Sequence, residues 1–219
     1  MKLILIDTIL LMFILSSCNQ AQNDKEETQS PGTQTDTIKN ETVKDTDSTR
    51  ELTEFIPDGH EILDMKRGDL NNDKIEDVLL VLKAINEEET FDVSNPTARP
   101  LLILIRQPDN SLKLARKNNK TVYCFDCGGI MGDPYTGLTI KDNYFSIEHY
   151  GGSSWRWTKI ITYKFDEDDQ EWYLHKVSGV YFYLHDEDNT KEETVVTTKD
   201  FGIIKFEDYD IYEEKNSNK

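Results

Sequence analysis

The chain has 219 residues and carries 25 lysines and arginines against 42 aspartates and glutamates, which gives a formal net charge of −17. A charge of this sign excludes a nucleic-acid binder that works through a basic surface, and it argues against electrostatic adhesion to anionic lipid. Three cysteines are too few for a disulfide-built scaffold, and no apolar stretch long enough to span a bilayer lies outside the extreme N-terminus.

The N-terminal residues have the pattern of a secretory signal. A single lysine is followed by the largely apolar stretch Leu3–Leu15 and then by small residues. This order is typical of exported proteins. Leu15-Ser16-Ser17-Cys18 resembles the lipobox of bacterial lipoproteins, which implies that residues 1–17 are a signal peptide and that acyl chains such as palmitate anchor Cys18 in a membrane. An ordinary secretory signal with a chance cysteine is the alternative.

Residues 18–50 are predicted to be a disordered, acidic tether. Between positions 19 and 50 the chain has no aromatic residue, only three hydrophobic ones, and seven acidic against four basic side chains. Such a segment cannot bury enough apolar surface to offset the entropy lost on ordering. Asn19 stands where an Asp would resemble an inner-membrane retention signal, and the acidic cluster Asp24–Glu27 resembles the surface-export signals of some Gram-negative lipoproteins. Together they imply an outer-membrane location, either periplasmic or surface-exposed. A solvated linker without a sorting role is the alternative.

Residues 51–219 are predicted to form a single all-β domain with a net charge of −14. Short β-branched and aromatic runs recur between turn residues, and the apolar run 77–82 is typical of a strand that is buried on both faces. No convincing amphipathic helix of three turns and no fixed-period repeat is present. We therefore expect an antiparallel sandwich, an open barrel or a partial propeller-like sheet. Strands are predicted at 61–63, 77–82, 101–105, 112–115, 121–124, 138–140, 144–150, 155–165, 172–177, 180–184, 195–196 and 203–206.

The first candidate site is an acidic loop between the first two predicted strands. Asp69, Asn71, Asp73 and Asp77 offer side-chain oxygens at alternating positions, and Ile75 offers its carbonyl. Alternate residues of a tight loop can point at one centre, and hard oxygens are the ligands that Ca²⁺ prefers. The spacing therefore predicts one calcium ion held by these five residues, with water completing its shell.

The acidic loop is not an EF-hand, because Lys74 and Leu80 stand where that motif requires Gly and Glu. It resembles instead the calcium loops of FG-GAP and integrin-like propeller repeats, in which a strand follows the loop directly. That resemblance implies a structural rather than a catalytic ion. Asn72 and Lys74 occupy positions where such loops commonly have glycine. An Asx-rich turn without metal is the alternative.

The second candidate site is the pair Cys124 and Cys127, the thiols that remain once Cys18 is lipidated. An exported location favours a disulfide between them. A thioredoxin-like redox pair usually begins a helix, but the glycines and the proline that follow Cys127 disfavour one. A zinc site would need further ligands. We expect a structural disulfide, with a thiol–disulfide enzyme and a zinc site as alternatives.

The third candidate site is a predicted hairpin with a Gly-Gly-Ser-Ser loop. Even closure of this loop would pair Tyr150 with Trp155 and His149 with Arg156. Cross-strand aromatic packing alone could account for these residues. The functional alternative is an aromatic surface on which His149, Trp155, Arg156 and Trp157 bind a sugar or a peptide group.

Four segments together resemble a group of uncharacterised bacterial lipoproteins, which implies the all-β fold and the lipid anchor but no known activity. They are Gly68-Asp69-Leu70-Asn71, Arg99–Leu104, Tyr123–Gly129 and His149–Trp157. We expect an envelope-anchored, non-enzymatic module that binds a protein or glycan and no nucleic acid. The enzymatic alternatives are a hydrolase or sugar-active enzyme near His149, Trp155 and Arg156, and a thiol–disulfide protein at the cysteine pair.

Overall fold

The computed structural model of this protein describes residues 50–90, 92 and 94–213. The predicted signal peptide 1–17, the lipidated Cys18 and all of the predicted tether except Arg50 lie outside the described residues, and those assignments stay predictions. Within the described part of the chain, no helix combines the length and the apolar character needed to cross a membrane.

The regular secondary structure of the described residues consists of strands and short helices, which turns and loops connect. The strands are β1 (His60–Gly68), β2 (Asp77–Ala84), β3 (Leu101–Arg106), β4 (Leu112–Asn118), β5 (Tyr135–Lys141), β6 (Tyr144–Gly152), β7 (Trp155–Asp166), β8 (Glu171–Tyr183) and β9 (Glu192–Thr197). The α-helices are single turns, α1 (Glu87–Thr90), α2 (Glu187–Thr190) and α3 (Thr198–Phe201). Three 3-10 turns cover Thr53–Phe55, Gly129–Met131 and Phe206–Asp208.

The strands make two antiparallel sheets. Within each sheet, neighbouring strands are also consecutive along the chain. The first sheet has the order β1-β2-β3-β4 and the second has the order β5-β6-β7-β8-β9. Buried residues of both sheets belong to one core, with Val81 and Ile103 of the first packed together with Ile147 and Ile161 of the second. The all-β prediction is confirmed, and the architecture among the three expected is a two-sheet sandwich that does not close into a barrel.

The first sheet is covered on both faces. Leu79 and Val81 of β2 face the shared core, whereas Val78 and Leu80 belong to a second cluster that includes Leu52 from the segment before β1. Every residue from 77 to 82 is buried. The prediction that this run is a strand buried on both faces is therefore confirmed.

Two predicted strands are wrong. Residues 121–124 are a bend followed by irregular chain rather than a strand, and the Cys124 N–H donates to the Tyr212 hydroxyl at 2.8 Å instead of to a neighbouring strand. Residues 203–206 make only a single bridge, from Lys205 to Tyr173, before a 3-10 turn begins at Phe206. The two predicted strands 172–177 and 180–184 are one continuous strand, β8.

Two strands of the second sheet, β7 and β8, are longer than any strand of the first, and this difference creates the candidate binding surface. Strands β7 and β8 have 12 and 13 residues, whereas β2 and β3 have eight and six. At about 3.3 Å per residue, the longer strands extend well past the sheet that covers them. Part of their core-side face is therefore left without a covering strand.

Candidate functional site

The acidic loop is folded around the carboxylate of Asp69. One oxygen of Asp69 accepts the N–H of Lys74 at 2.8 Å, and the other accepts the N–H groups of Asn71 and Asp73 at 3.2 Å. Asn72 and Lys74 have φ values of 64° and 68°, in the left-handed region. These are the two positions where such calcium loops commonly have glycine, and here residues with side chains adopt the left-handed conformation.

Asp77 closes the loop from the first position of β2. It is fully buried, and its carboxylate accepts the N–H groups of Leu70 and Arg106, each at 2.9 Å. Burial raises the pKa of Asp77 to about 6, and the negative charges of Asp73 and Asp69 push it in the same direction. Carboxylate oxygens of Asp69, Asp73 and Asp77 lie within 4.8 Å of one another. The structure thus brings together three of the predicted ligands.

The remaining predicted ligands also lie in this loop, and the donor set fits a hard cation. The Asn71 side chain contacts Asp73 through both of its polar atoms, at 2.9 and 3.2 Å, and the Ile75 N–H donates to Asp73 at 2.8 Å. A carboxylate oxygen that accepts one N–H keeps a further lone pair for a metal. The ligand atoms offered here are all oxygens, which suits a divalent ion such as Ca²⁺.

Cys124 and Cys127 are joined by a disulfide with an S–S distance of 2.02 Å. The residues that follow form the 3-10 turn Gly129–Met131 rather than an α-helix. The helix N-terminus that lowers the thiol pKa in redox pairs is therefore missing at this point of the chain. Among the described residues, the cysteines do not belong to a group of metal ligands.

The loop after the disulfide packs against the end of β6. The N–H of Gly152 donates to the carbonyl of Gly128, and the N–H of Tyr150 donates to the carbonyl of Pro134, each at 2.8 Å. A Cβ on Gly151 would lie 2.4 Å from the Trp157 ring and 3.0 Å from Gly128 Cα. Only glycine fits at this contact. The second and third candidate sites, which the sequence presented separately, are thus parts of one structure.

The predicted pairing of the β6–β7 hairpin is wrong. Tyr150 pairs with Thr158 and His149 pairs with Lys159, because β6 continues through Gly151 and Gly152 before the chain turns. Gly152 has a φ of 113°, which a residue with a side chain rarely adopts. The observed pairing is shifted by three residues from the predicted one. Because side chains alternate between the two faces of a sheet, this odd shift places Arg156 on the opposite face from His149 instead of on the same face.

Four rings form an exposed surface that we call the aromatic shelf, made of Trp155, Trp157, Tyr181 and Tyr183. All four lie on the core side of the second sheet, where β7 and β8 extend past the first. Trp155 stacks on Tyr181 with 5.1 Å between centroids and 7° between planes, and it contacts Tyr183 at 5.2 Å. Trp155 and Tyr181 are 42% and 43% exposed. The shelf is therefore an ordered stack of rings that solvent can reach.

His149 is buried beside the shelf rather than exposed on it. Only 2% of its surface is accessible, its Nε2 accepts the N–H of Tyr123 at 3.3 Å, and the Tyr123 ring packs edge-on against it at 5.1 Å. Burial lowers the pKa of His149 to about 3, so the imidazole is neutral at physiological pH. Its Nδ1 is buried without a hydrogen-bond partner. Tyr123 also contacts Trp157, at 5.6 Å.

Arg156 lies on the opposite face of the sheet from Trp155 and Trp157, because neighbours along a strand point to opposite sides. Its Cα partners across the sheet are Gly152 and Phe182. Its Nε and Nη1 atoms are buried without hydrogen-bond partners. Of the four predicted ligand-binding residues, the structure places Trp155 and Trp157 together, buries His149 nearby and turns Arg156 away.

Sequence reasoning missed the tyrosines of the shelf and the acidic residues at its edge. Three consecutive rings, Tyr181-Phe182-Tyr183, stand out in the sequence, but nothing in the sequence says which strand they pair with. The structure pairs Tyr181 with Trp157 on one side and with Glu192 of β9 on the other. Directly paired residues share a face, so the Glu192 carboxylate lies at the edge of the shelf.

A buried ion cluster was also missed. Arg99 is 1% exposed, and its guanidinium donates to both oxygens of Glu87 and, at 2.7 Å, to both oxygens of Asp133. These contacts join helix α1 to the loop that follows the disulfide. The two acidic partners lie 12 and 34 residues away along the chain. No local motif reveals such a cluster.

Comparison with known proteins finds no matching family, no matching curated protein and no matching solved structure.

Proposed function

We propose that this protein is a non-enzymatic binding module of a Gram-negative cell envelope, anchored to the outer membrane through Cys18, and that it contacts a protein or glycan ligand through the aromatic shelf. The observation that carries this proposal is the exposed stack of Trp155 on Tyr181. Single exposed apolar side chains are ordinary, but contiguous apolar patches mark interaction sites. Tryptophan and tyrosine are also enriched where interfaces carry most of their binding energy.

The surroundings of the shelf support binding rather than catalysis. A hydrolase at this place would need groups that transfer protons beside the rings. His149 is buried and stays neutral, and Arg156 points to the other face of the sheet. His149 and Arg156, the polar residues assigned to the enzymatic alternative, therefore supply no proton donor or acceptor that reaches a ligand on the shelf.

Binding is tested by screening the purified protein against glycan and peptide arrays. We expect at least one ligand whose signal falls in Trp155→Ala and in Tyr181→Ala. The matched control is Val195→Ala, which removes a 60% exposed side chain from the opposite face of the same sheet. A protein whose ligands all bind equally well to the shelf variants and to the control would contradict the proposal.

The lipid anchor is tested separately. Two or three acyl chains on one residue hold a protein firmly on a bilayer. In cells, the wild-type protein should sediment with outer membranes, and Cys18→Ser should leave the chain in the soluble fraction. A Cys18→Ser protein that still sediments with membranes would contradict the lipoprotein assignment.

We also propose that the acidic loop holds one structural calcium ion through Asp69, Asn71, Asp73, Ile75 and Asp77. The support is the convergence of three carboxylates around a tight loop in which Asn72 and Lys74 have left-handed backbone. Like charges at this spacing repel unless a cation lies between them. Because the loop connects β1 to β2, its ion would stabilise the fold and would not bind the ligand.

A further inference from the structure

The aromatic shelf has an acidic edge. Glu192 pairs directly with Tyr181 across β8 and β9, so its carboxylate lies on the same face as the rings. Asp186, Glu187 and Asp188 follow the shelf residue Tyr183 in the connection between these strands, and all are exposed. The edge of the shelf that is formed by β8, β9 and their connection is therefore negatively charged.

The basic residues near this edge do not neutralise it. Lys191 is tied to Glu193 at 2.8 Å, which leaves the carboxylate of Glu192 and those of the connection as excess negative charge. Lys159 shares the face of the shelf but lies one row further along the strands, with its Nζ 5.5 Å from the centre of the Tyr123 ring. Arg156 lies on the opposite face.

Exposed aromatic faces next to carboxylates are a chemical match for a cation. A guanidinium or ammonium group is attracted to the face of a tryptophan or tyrosine ring, and nearby negative charge adds to this attraction. A neutral sugar could stack on the rings and donate hydroxyl hydrogen bonds to the carboxylates, but it would gain no charge attraction. An anionic ligand would be repelled by both the edge and the net charge of the domain. The charge pattern thus favours a basic ligand over the other candidates.

The shape of the shelf favours a polypeptide over a small molecule. Small-molecule sites are concave and enclose most of their ligand. The shelf is an open sheet face, whereas cavities of about 270 and 240 Å³ lie elsewhere, one lined by Lys113 and Trp172 and the other by Tyr173 and Ile203. An extended chain can lie across an open face and present several cations to it.

We propose that the aromatic shelf binds a basic polypeptide segment, with arginine or lysine side chains stacked on Trp155 and Tyr181 and paired with Glu192. This inference rests on the proposed binding function and names the class of its ligand. It makes the shelf a cation-selective surface and assigns Glu192 to the selection of positive charge.

The test titrates the purified protein with short synthetic peptides and follows tryptophan fluorescence and heat. The probes are a peptide that alternates arginine with glycine, matched peptides with glutamine or glutamate in place of arginine, and neutral chito- and cello-oligosaccharides. We expect the arginine peptide to bind and the glutamate peptide not to bind. Binding should weaken at high salt, because ions screen exposed charge pairs.

Three variants locate the interaction. Trp155→Ala should weaken the arginine peptide by about fivefold or more, since it removes a ring face that contacts the cation. Glu192→Gln should weaken the peptide by about twofold to fivefold, as expected for an exposed charge pair. Asp168→Asn is the control, because it removes the same charge from the exposed turn after β7, at the far end of that strand from Trp155, and should leave the affinity unchanged. Far-UV circular dichroism verifies that each variant is folded.

The outcomes separate this inference from the proposed function. If a neutral oligosaccharide or the glutamine peptide binds at least as tightly as the arginine peptide, and Trp155→Ala removes that binding, the shelf is a binding site but not a cation-selective one. Equal losses in Glu192→Gln and Asp168→Asn would likewise overturn the inference, since they would reflect net charge alone. If no probe binds in a way that depends on Trp155, both proposals are overturned.

Discussion

At the scale of single residues, Arg99 illustrates how a buried charge depends on its partners. Its guanidinium is held between Glu87, which is almost fully buried, and Asp133, which is half-buried. A buried charge is costly unless a partner of opposite sign and good geometry compensates it. The cluster therefore contributes most when it is complete, and the removal of one member leaves another without compensation.

We predict that Arg99→Met lowers the free energy of unfolding by about 3–5 kcal/mol, because Glu87 then stays buried without its partner. Urea denaturation followed by tryptophan fluorescence measures the change. Lys191→Met is the control, since it removes a cation from the exposed pair with Glu193 and should leave the unfolding midpoint unchanged. A midpoint for Arg99→Met equal to that of the control would show that the cluster does not support the fold.

His149 gives the fold a dependence on pH. Burial lowers the pKa of His149 to about 3 in the folded protein, from 6.5 for an ordinary histidine. Between these values the unfolded chain binds a proton that the folded protein does not bind. The stability due to the neutral imidazole is therefore present above pH 6.5 and is lost progressively as the pH falls toward 3.

We predict that lowering the pH from about 7 to about 5 costs the wild-type protein about 2 kcal/mol more than it costs His149→Gln. Glutamine can still accept the Tyr123 N–H but cannot take up a proton. Urea unfolding of both proteins at each pH measures the difference, and the other histidines contribute equally to both. Parallel pH profiles would mean that His149 titrates normally in the folded state.

At the scale of elements, the sequence predicted strands better than it predicted their pairing. The run 77–82 is recognisable because burial on both faces leaves no polar residue after Asp77, and the structure confirms it. Residues 121–124 have strand-like side chains, but their backbone is held by the disulfide loop and by Tyr212. Strand propensity is a property of side chains, whereas pairing depends on partners that are distant in the chain.

The candidate sites show the same contrast: features set by neighbouring residues could be predicted, and features set by distant strand pairing could not. The convergence of carboxylates in the acidic loop was predictable because Asp69, Asp73 and Asp77 lie within nine consecutive residues. The shelf was half predictable, since Trp155 and Trp157 stand two apart on one strand and therefore share a face. The contribution of Tyr181 and Glu192 to the shelf could not be predicted, because their place beside the tryptophans depends on the register of β7, β8 and β9. Arg156 was assigned to the wrong face for the related reason that Gly151 and Gly152 extend β6.

The contact between Gly151 and Trp157 joins the hairpin to the disulfide loop. We predict that Gly151→Ala lowers the free energy of unfolding by about 1–3 kcal/mol, because the new Cβ would overlap the Trp157 ring and crowd Gly128. Near-UV circular dichroism should change as well, since the ring must move.

Gly59→Ala is the comparison for this prediction. A Cβ on Gly59 meets no atom within 4 Å, so only the left-handed backbone opposes it, at a cost of about 1 kcal/mol. Its near-UV spectrum should match that of the wild type. A Gly151→Ala protein with an unchanged near-UV spectrum would show that Trp157 does not rest on this glycine.

At the scale of the whole domain, the acidic loop and the aromatic shelf lie at opposite ends of the sandwich. Strand β7 begins at the shelf residue Trp155 and ends at Asp166, beside Trp172, whose indole N–H donates to the Leu70 carbonyl of the acidic loop at 3.0 Å. The 12 residues of β7 separate the two sites by roughly 35 Å. An ion in the loop can therefore affect a ligand on the shelf only through the stability of the fold.

We predict that millimolar Ca²⁺ raises the melting temperature of the purified domain and that a chelator lowers it. An ion that binds only the folded state stabilises it by about 2.7 kcal/mol when its concentration is a hundred times the Kd.

Asp73→Ala should abolish the difference between Ca²⁺ and chelator, because Asp73 is one of the three converging carboxylates. Asp168→Ala, which removes an equal charge from the exposed turn after β7, should keep it. Identical melting curves with Ca²⁺ and with chelator would leave the loop as an Asx-rich turn. If Ca²⁺ acts through the fold alone, the affinity of the shelf should be the same with and without the ion wherever the protein stays folded.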